Sequence, residues 1–261
     1  MKGRKTMPLD IVTVPCLSDN YAFLAHDAET GDTALVDAPE AAPILDALDA
    51  RGWRLSHALI THHHYDHVDG LKEILAKHPA QVVGHQKDAA RLPPLDIALN
   101  DGDTIRIGSE DGMVMDVSGH TVGHVAYHFP TSKAVFTADS LMALGCGRVF
   151  EGTMPQMWNS LSKLSALPGD TLVYSGHEYT KANGAFAITI EPENPDLISR
   201  IQQVDEARAA GQPTVPSLLS LEHATNPFLR AAVPHLQHSI GMDGADPAEV
   251  FAEIRRRKDN F

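Results

Sequence analysis

Four potential metal ligands crowd into a short run of this chain, Thr61-His62-His63-His64-Tyr65-Asp66-His67: three imidazoles, His62, His64 and His67, and the carboxylate of Asp66. Imidazole suits zinc and iron, and carboxylate oxygen suits harder divalent ions, so the mixture points to a transition-metal site. In an extended segment alternate side chains share a side, which turns His62 and His64 together and sends His63 elsewhere. Asp66 and His67 then approach from the turn that follows. A polyhistidine tag would sit at a terminus and would not be broken by Tyr65 and Asp66. One ion normally takes about four protein ligands, or fewer when a position stays open, so distant residues must complete the site.

The run follows Leu55 to Ile60, an apolar stretch that reads as a buried strand. Three further candidates have the same setting. His120 in Gly119-His120-Thr121, Asp139 in Thr137-Ala138-Asp139 and His177 in Ser175-Gly176-His177 each lie just past an apolar run. One sheet edge could gather all of them.

Upstream, β-rich runs at Ile11 to Val14, Tyr21 to Ala25 and Thr33 to Val36 are separated by turn-formers and read as an antiparallel meander. Helical spacing follows at Ala41 to Ala50, and again through Leu71, Ile74 and Leu75. Strands are expected at Gln81 to Val83, Thr104 to Ile107, Met113 to Val117, Val125 to Phe129, Ala134 to Phe136 and Thr171 to Tyr174, with a helix over Gln156 to Leu167. Beyond His177 the pattern turns helical, at Ala182 to Ile188, Leu197 to Ala210 and Pro247 to Lys258, punctuated by prolines. The expected division is a metal domain over 1-176 and a helical domain over 177-261.

The 261 residues, 43% hydrophobic and 21% charged, have the balance of an ordinary soluble globular protein. No apolar run is long enough to cross a bilayer. The basic start, Met1 to Thr6, lacks the apolar stretch of a signal peptide, and Cys16 and Cys146 make no disulfide framework. A cytoplasmic location is expected. The net charge of -13 argues against nucleic acid or an anionic membrane as partner, though not against a small anionic ligand. A monomer is expected.

The pattern His62-x-His64-x-Asp66-His67, then His120, Asp139 and His177, resembles the metallo-β-lactamase superfamily. The strings Leu144-Gly145-Cys146-Gly147-Arg148, Glu151-Gly152-Thr153, Gly176-His177-Glu178-Tyr179-Thr180, Asn226-Pro227-Phe228 and Arg255-Arg256-Arg257-Lys258-Asp259 narrow the resemblance to the glyoxalase II family of hydroxyacylglutathione hydrolases. It spans nearly the whole chain. It implies an α+β fold, a four-layer αββα sandwich with a C-terminal helical domain. It also implies two divalent metals, zinc foremost with iron or manganese as options. One would be held by His62, His64 and His120, the other by Asp66, His67 and His177, with Asp139 bridging. Such a set leaves room for a common hydroxide. His124 and His128 compete as ligands, but they alternate with the apolar residues of a strand.

By the same resemblance the substrate is an S-(2-hydroxyacyl)glutathione, typically S-D-lactoylglutathione in methylglyoxal detoxification, cleaved to glutathione and D-lactate. Asp66 and Asp139 would carry the chemistry with the metals, and Arg148, Tyr179, Arg255 and Lys258 would bind the glutathione. Arg255 and Lys258 are three residues apart and share a helix face; as a bare pattern, the basic run is also what a final helical turn carries to complement its dipole. Phe150 departs from the family, whose members often carry tyrosine there. Cys146, flanked by glycines, is expected to be a small turn residue rather than a nucleophile. The rival readings are a glutathione persulfide dioxygenase with one iron, another hydrolase of the superfamily, and a structural metal module.

Overall fold

The turn-formers between the first three apolar runs fold them into a meander. In the computed structural model, which describes residues 7–261, β1 (Asp10–Cys16), β2 (Asn20–His26) and β3 (Thr33–Val36) pair antiparallel, with Val12 opposite Leu24 and Leu24 opposite Leu35. The basic stretch 1–6 lies outside the described residues. The chain divides into two compact units. One holds the residues up to Asp116 together with Val122–Phe136; the other holds Val117–Thr121 and Thr137–Phe261.

In the first unit the sheet continues with parallel strands. Helix α1 (Ala41–Arg51) carries the chain back so that β4 (His57–Leu59) lies beside β3, and α2 (Tyr65–Val68) and α3 (Leu71–Lys77) do the same for β5 (Gln81–His85), followed by β6 (Ile97–Leu99). Parallel neighbours need such crossovers. Side-chain alternation gives the sheet two faces. On one, Leu24, Leu35, Ala58, Ile60 and Val82 pack with Ile44, Leu45 and Leu48 of α1 and Leu71 and Ile74 of α3. Each of the leucine, isoleucine and valine side chains among them, fully buried, contributes about 1.5–3 kcal/mol.

The other face carries Phe23, whose ring lies 5.5 Å from Phe136 of a second, antiparallel set. That set comprises β7 (Thr104–Ile107), β8 (Glu110–Asp116), β9 (Val125–Phe129) and β10 (Ala134–Ala138), with Met113 opposite His128 and Val135 opposite His128 on the far side. Two sheets face to face with helices outside is the layering expected from the sequence.

In the second unit the end of β10 meets β13 (Leu172–Ser175), where Gly176 N donates to Ala138 O at 3.0 Å, and β13 pairs with β14 (Ser217–Leu218). A short hairpin joins β11 (Leu141–Met142) to β12 (Gly145–Cys146). Helix α4 (Met154–Ser165) starts at a capping box in which Thr153 and Gln156 satisfy each other's backbone amides. The helical part comprises α5 (Thr180–Ile190), α6 (Pro195–Ala209), α7 (Leu219–Thr225), α8 (Pro234–Ser239) and α9 (Pro247–Asp259). A buried ion pair, Arg200 with Glu222, ties α6 to α7, and Glu222 also accepts from Leu144 N at 2.9 Å. No described helix is long and apolar enough to cross a membrane.

Two expectations change. His62 follows β4 in the first sheet, whereas His120, Asp139 and His177 follow β8, β10 and β13, which belong to the other; the ligands do not come from one sheet edge. Asp66 and His67 lie not in a plain turn but on α2, a single helical turn clamped to the end of β3: Ala38 N donates to His67 O at 2.8 Å and Gly70 N to Ala38 O at 2.9 Å. A Cβ on Gly70 would come within 2.8 Å of the Ala41 nitrogen, so only glycine permits this approach.

Candidate metal centre

Within the first unit, the histidine run does what its alternation requires. His62 Nε2 and His64 Nδ1 converge to 3.2 Å, while His63 turns away and pairs through Nδ1 with Asp88 Oδ2 at 2.8 Å. The helical turn of α2 brings Asp66 Oδ2 to 3.9 Å from His67 Nε2. Asn20 holds Asp66, donating from Nδ2 to its Oδ2 and to its backbone oxygen, both at 3.1 Å. His62 and His67 are fully buried. Rings in such a setting are kept for a partner at their inner nitrogens, since a buried polar atom is costly when left unsatisfied.

Asp37, His62 and His67 also have ligand atoms within 4.8 Å of one another. The Asp37 carboxylate, however, meets His67 at Nδ1, at 2.8 Å, and also accepts from the Thr61 amide and hydroxyl. It supports the ring from behind rather than sharing its inner face. Its spacing marks Asp37 no more than any other carboxylate, although it directly follows an apolar strand, a setting close to that of His62, Asp139 and His177.

Within the second unit, Asp139 turns one oxygen to each of two rings. Oδ2 lies 3.4 Å from His120 Nε2, and Oδ1 lies 3.4 Å from His177 Nε2. His120 Nδ1 donates to Arg148 O at 2.8 Å, which leaves the Nε2 lone pair facing the carboxylate. The His120 loop is fixed further by Ser160 Oγ of α4, 2.7 Å from Ser118 O. Gly147 is indispensable to this packing: a Cβ there would stand 1.9 Å from Asp139 O. Ala138, at φ 40°, turns the chain sharply just before the carboxylate.

The donor set fits divalent d-block ions. It offers imidazole nitrogen and carboxylate oxygen with no thiolate, and a carboxylate presenting separate oxygens to two histidines is what a bridging ligand needs. The competing histidines behave as core residues. His124 is buried and stacks on His62 with centroids 4.6 Å apart; His128 sits in β9 and burial lowers its pKa, keeping it neutral.

Around this half of the site lie the residues assigned to glutathione. Tyr179 stacks on His177 at 4.6 Å, and Phe150, exposed, meets His120 edge-on at 5.2 Å. Arg148 is half exposed and its Nε is 3.2 Å from Asp259 Oδ1. Lys258 Nζ donates to Ala182 O at 3.2 Å and lies over the rings of Phe186 and Phe261; burial, with the charge of Arg255, lowers its pKa. Arg255 differs from the other three. It is 4% exposed, with its guanidinium engaged by Cys146 O at 2.8 Å and by Asp259 Oδ1 at 2.9 Å.

The metallo-β-lactamase superfamily model matches residues 20–177, and the model described as hydroxyacylglutathione hydrolase C-terminus matches 178–261. A hydroxyacylglutathione hydrolase of Ruegeria pomeroyi is 65% identical over 255 residues, covering 98% of this chain and 100% of that protein. The chain belongs to the hydroxyacylglutathione hydrolase family. Among solved structures, the B3 metallo-β-lactamase BLEG-1 shares the fold at TM-score 0.65 and 19% identity, over 84% of this chain and 99% of that one. The protein TTHA1623, solved in a di-iron-bound form, aligns at TM-score 0.60 and 25% identity, over 84% of this chain and 98% of that one. A hydroxyacylglutathione hydrolase thus carries its metallo-β-lactamase fold ahead of a family-specific helical end.

Proposed function

We propose that the protein hydrolyses S-(2-hydroxyacyl)glutathione thioesters, S-D-lactoylglutathione foremost, to glutathione and a 2-hydroxy acid. Two divalent ions would be held by His62, His64 and His120 and by Asp66, His67 and His177, with Asp139 serving both. Zinc is the first choice, with iron or manganese as options. The observation that carries this reading is Asp139 addressing His120 and His177 through different oxygens. The di-iron form of TTHA1623 supports a count of two. When bound, such ions lower the pKa of water towards neutrality and polarise the carbonyl that it attacks.

The chain's own residues do the rest. His62 and His120 face inward through Nε2, so the rings present lone pairs rather than protons. Asp66, held by Asn20, and Asp139 add negative charge that balances the cations. Arg148 and Lys258 supply positive charge for the carboxylates of glutathione, with the Tyr179 ring beside His177 as a wall. Arg255 belongs to the same binding region, acting through Asp259, which it shares with Arg148. The leaving thiolate comes from a thiol of pKa about 8.5 and departs without a strong acid.

In this reading residues 1-176 form the catalytic part and 177-261 the glutathione part of a cytoplasmic monomer, without nucleic acid or membrane partners. Its free, buried thiols at Cys16 and Cys146 suit a reducing compartment. The test is elemental analysis of the purified protein beside an assay of thiol release from S-D-lactoylglutathione. Two metals per chain and rapid release are expected. One iron, oxygen uptake and no hydrolysis would transfer the reading to a persulfide dioxygenase.

A further inference from the structure

Two histidines of the first unit rest on one buried carboxylate. Asp37 follows β3 at φ 56°, in the left-handed region that aspartate tolerates better than most residues, and it is 2% exposed. Its Oδ1 accepts the Thr61 amide at 2.8 Å. Its Oδ2 accepts the Thr61 hydroxyl and His67 Nδ1, each at 2.8 Å. Thr61 Oγ1 in turn lies 3.0 Å from His62 Nδ1.

Counting hydrogens sets every direction in this chain. A carboxylate only accepts, so His67 Nδ1 must carry its hydrogen. The Thr61 hydroxyl has one hydrogen, and Asp37 takes it. Thr61 Oγ1 is therefore the acceptor for His62, whose Nδ1 also carries a hydrogen. In a neutral imidazole the lone pair then lies on Nε2 in both rings. The backbone is held as firmly: Val125 N donates to Thr61 O at 3.0 Å and the Tyr127 hydroxyl to Ile60 O at 2.9 Å.

We propose that Asp37 and Thr61 are a positioning pair that locks His62 and His67 together in the tautomer that ligates through Nε2. The proposal rests on the metal assignment above, in which His62 and His67 serve different ions, so one carboxylate would set the readiness of both sites. It reaches His67 directly and His62 through a hydroxyl relay. Supports of this kind typically change metal affinity ten- to a hundredfold.

The variants separate the two arms. In Asp37→Asn the Thr61 amide claims the amide oxygen, which turns Nδ2, a donor, toward His67 Nδ1 and Thr61 Oγ1. His67 must then accept at Nδ1 and carry its hydrogen on Nε2. Thr61→Val keeps the volume and removes only the relay to His62, and Thr61→Ser restores it. The measurement is a long-range 15N–1H spectrum of histidine-labelled, metal-stripped protein, paired with zinc retention against a competing chelator.

Wild type should show both rings protonated at Nδ1. Asp37→Asn should switch His67 and weaken zinc retention at least tenfold. Thr61→Val should release the fixed tautomer of His62 alone, and Thr61→Ser should return it. A wild-type ring protonated at Nε2, or zinc retention unchanged in both Asp37→Asn and Thr61→Val, overturns the proposal. Should Asp37→Asn fail to fold, the Thr61 pair decides by itself. If wild type held zinc with these tautomers yet released no thiol from S-D-lactoylglutathione, the hydrolase reading would fall while the positioning pair stood.

Discussion

Arg255 Nη1 donates to the carbonyl of Cys146 at 2.8 Å and lies 3.8 Å from its sulfur. The cation does not activate the thiol, because burial outweighs it and pushes the Cys146 pKa up to about 11. Burial, helped by Glu40, likewise pushes Cys16 to about 12. A thiol protonated at neutral pH is no nucleophile. Cys146→Ser is expected to keep at least half of wild-type kcat/KM. In the native protein a disulfide reagent at pH 8 should titrate neither cysteine, and after denaturation both. Rapid native labelling at Cys146, or loss of activity on Cys146→Ser, restores a nucleophilic role.

The turn after β2 carries a carboxylate that ties the two sheets of the first unit. Burial alone would raise the Asp27 pKa, but donation from the Ser109 hydroxyl at 2.7 Å and amide at 2.6 Å, with the Thr30 and Glu29 amides, lowers it to about 2. The folded pKa is below the unfolded one, so the stabilisation is present above about pH 4 and is lost as pH falls toward 2. Asp27→Asn should cost about 1–2 kcal/mol at pH 7 and almost nothing at pH 2. Denaturant midpoints at the two values check it; an equal loss at both would mean that packing, not charge, is at stake.

The positions of Asp139 and His177 at strand ends were legible because each follows an apolar run that reads as a strand, and the structure puts β10 and β13 there. Helix positions past His177 were legible from prolines: α6 and α9 each begin on one, with Asn194 and Asp246 as caps. The supports were not. Asp37 and Thr61 lie twenty-four residues apart and meet only because β3 and β4 run parallel side by side. Spacing along a chain carries no trace of such a pairing. The surroundings of Arg255 were hidden for a similar reason: its helix face was readable, but its burial against Cys146 depends on a hairpin too short to show a pattern.

Phe150 is 60% exposed; the sequence resemblance leads one to expect tyrosine there, and on the proposed reading the absent hydroxyl would have added a contact to glutathione. One hydrogen bond is worth about 0.5–1.5 kcal/mol net. Phe150→Tyr should therefore lower KM about two- to tenfold at constant kcat. Steady-state kinetics with S-D-lactoylglutathione check this. A change confined to kcat would place the ring against the reacting group instead.

On the proposed reading, Lys258 would link substrate affinity to pH. Burial and the nearby charge of Arg255 lower its pKa, so it loses its proton earlier than an ordinary lysine near pH 10.4. Above that point a glutathione carboxylate bound there would lose its partner, so KM should rise while kcat follows its own profile. Lys258→Arg should abolish the alkaline rise, and Lys258→Met should raise KM about tenfold already at pH 7, as expected for a charge-assisted bond. An unchanged alkaline limb in Lys258→Arg assigns it to another group.

Asp139 is the group whose loss should be felt most. Its two oxygens are 3.4 Å from His120 and from His177, and Asp139→Asn replaces one of them with an amide that donates. A donor cannot ligate, so the variant keeps an acceptor for one ion only. The expected result is about one metal per chain in place of two, and kcat lower by about 10²–10⁴, the scale of several kcal/mol of lost charge stabilisation. Because Asn matches Asp in shape, the midpoint of thermal unfolding in metal-stripped protein should stay close to wild type. Elemental analysis alongside the thioester assay reads both numbers. Two metals retained at full occupancy with wild-type turnover would show that Asp139 serves only one side of the centre.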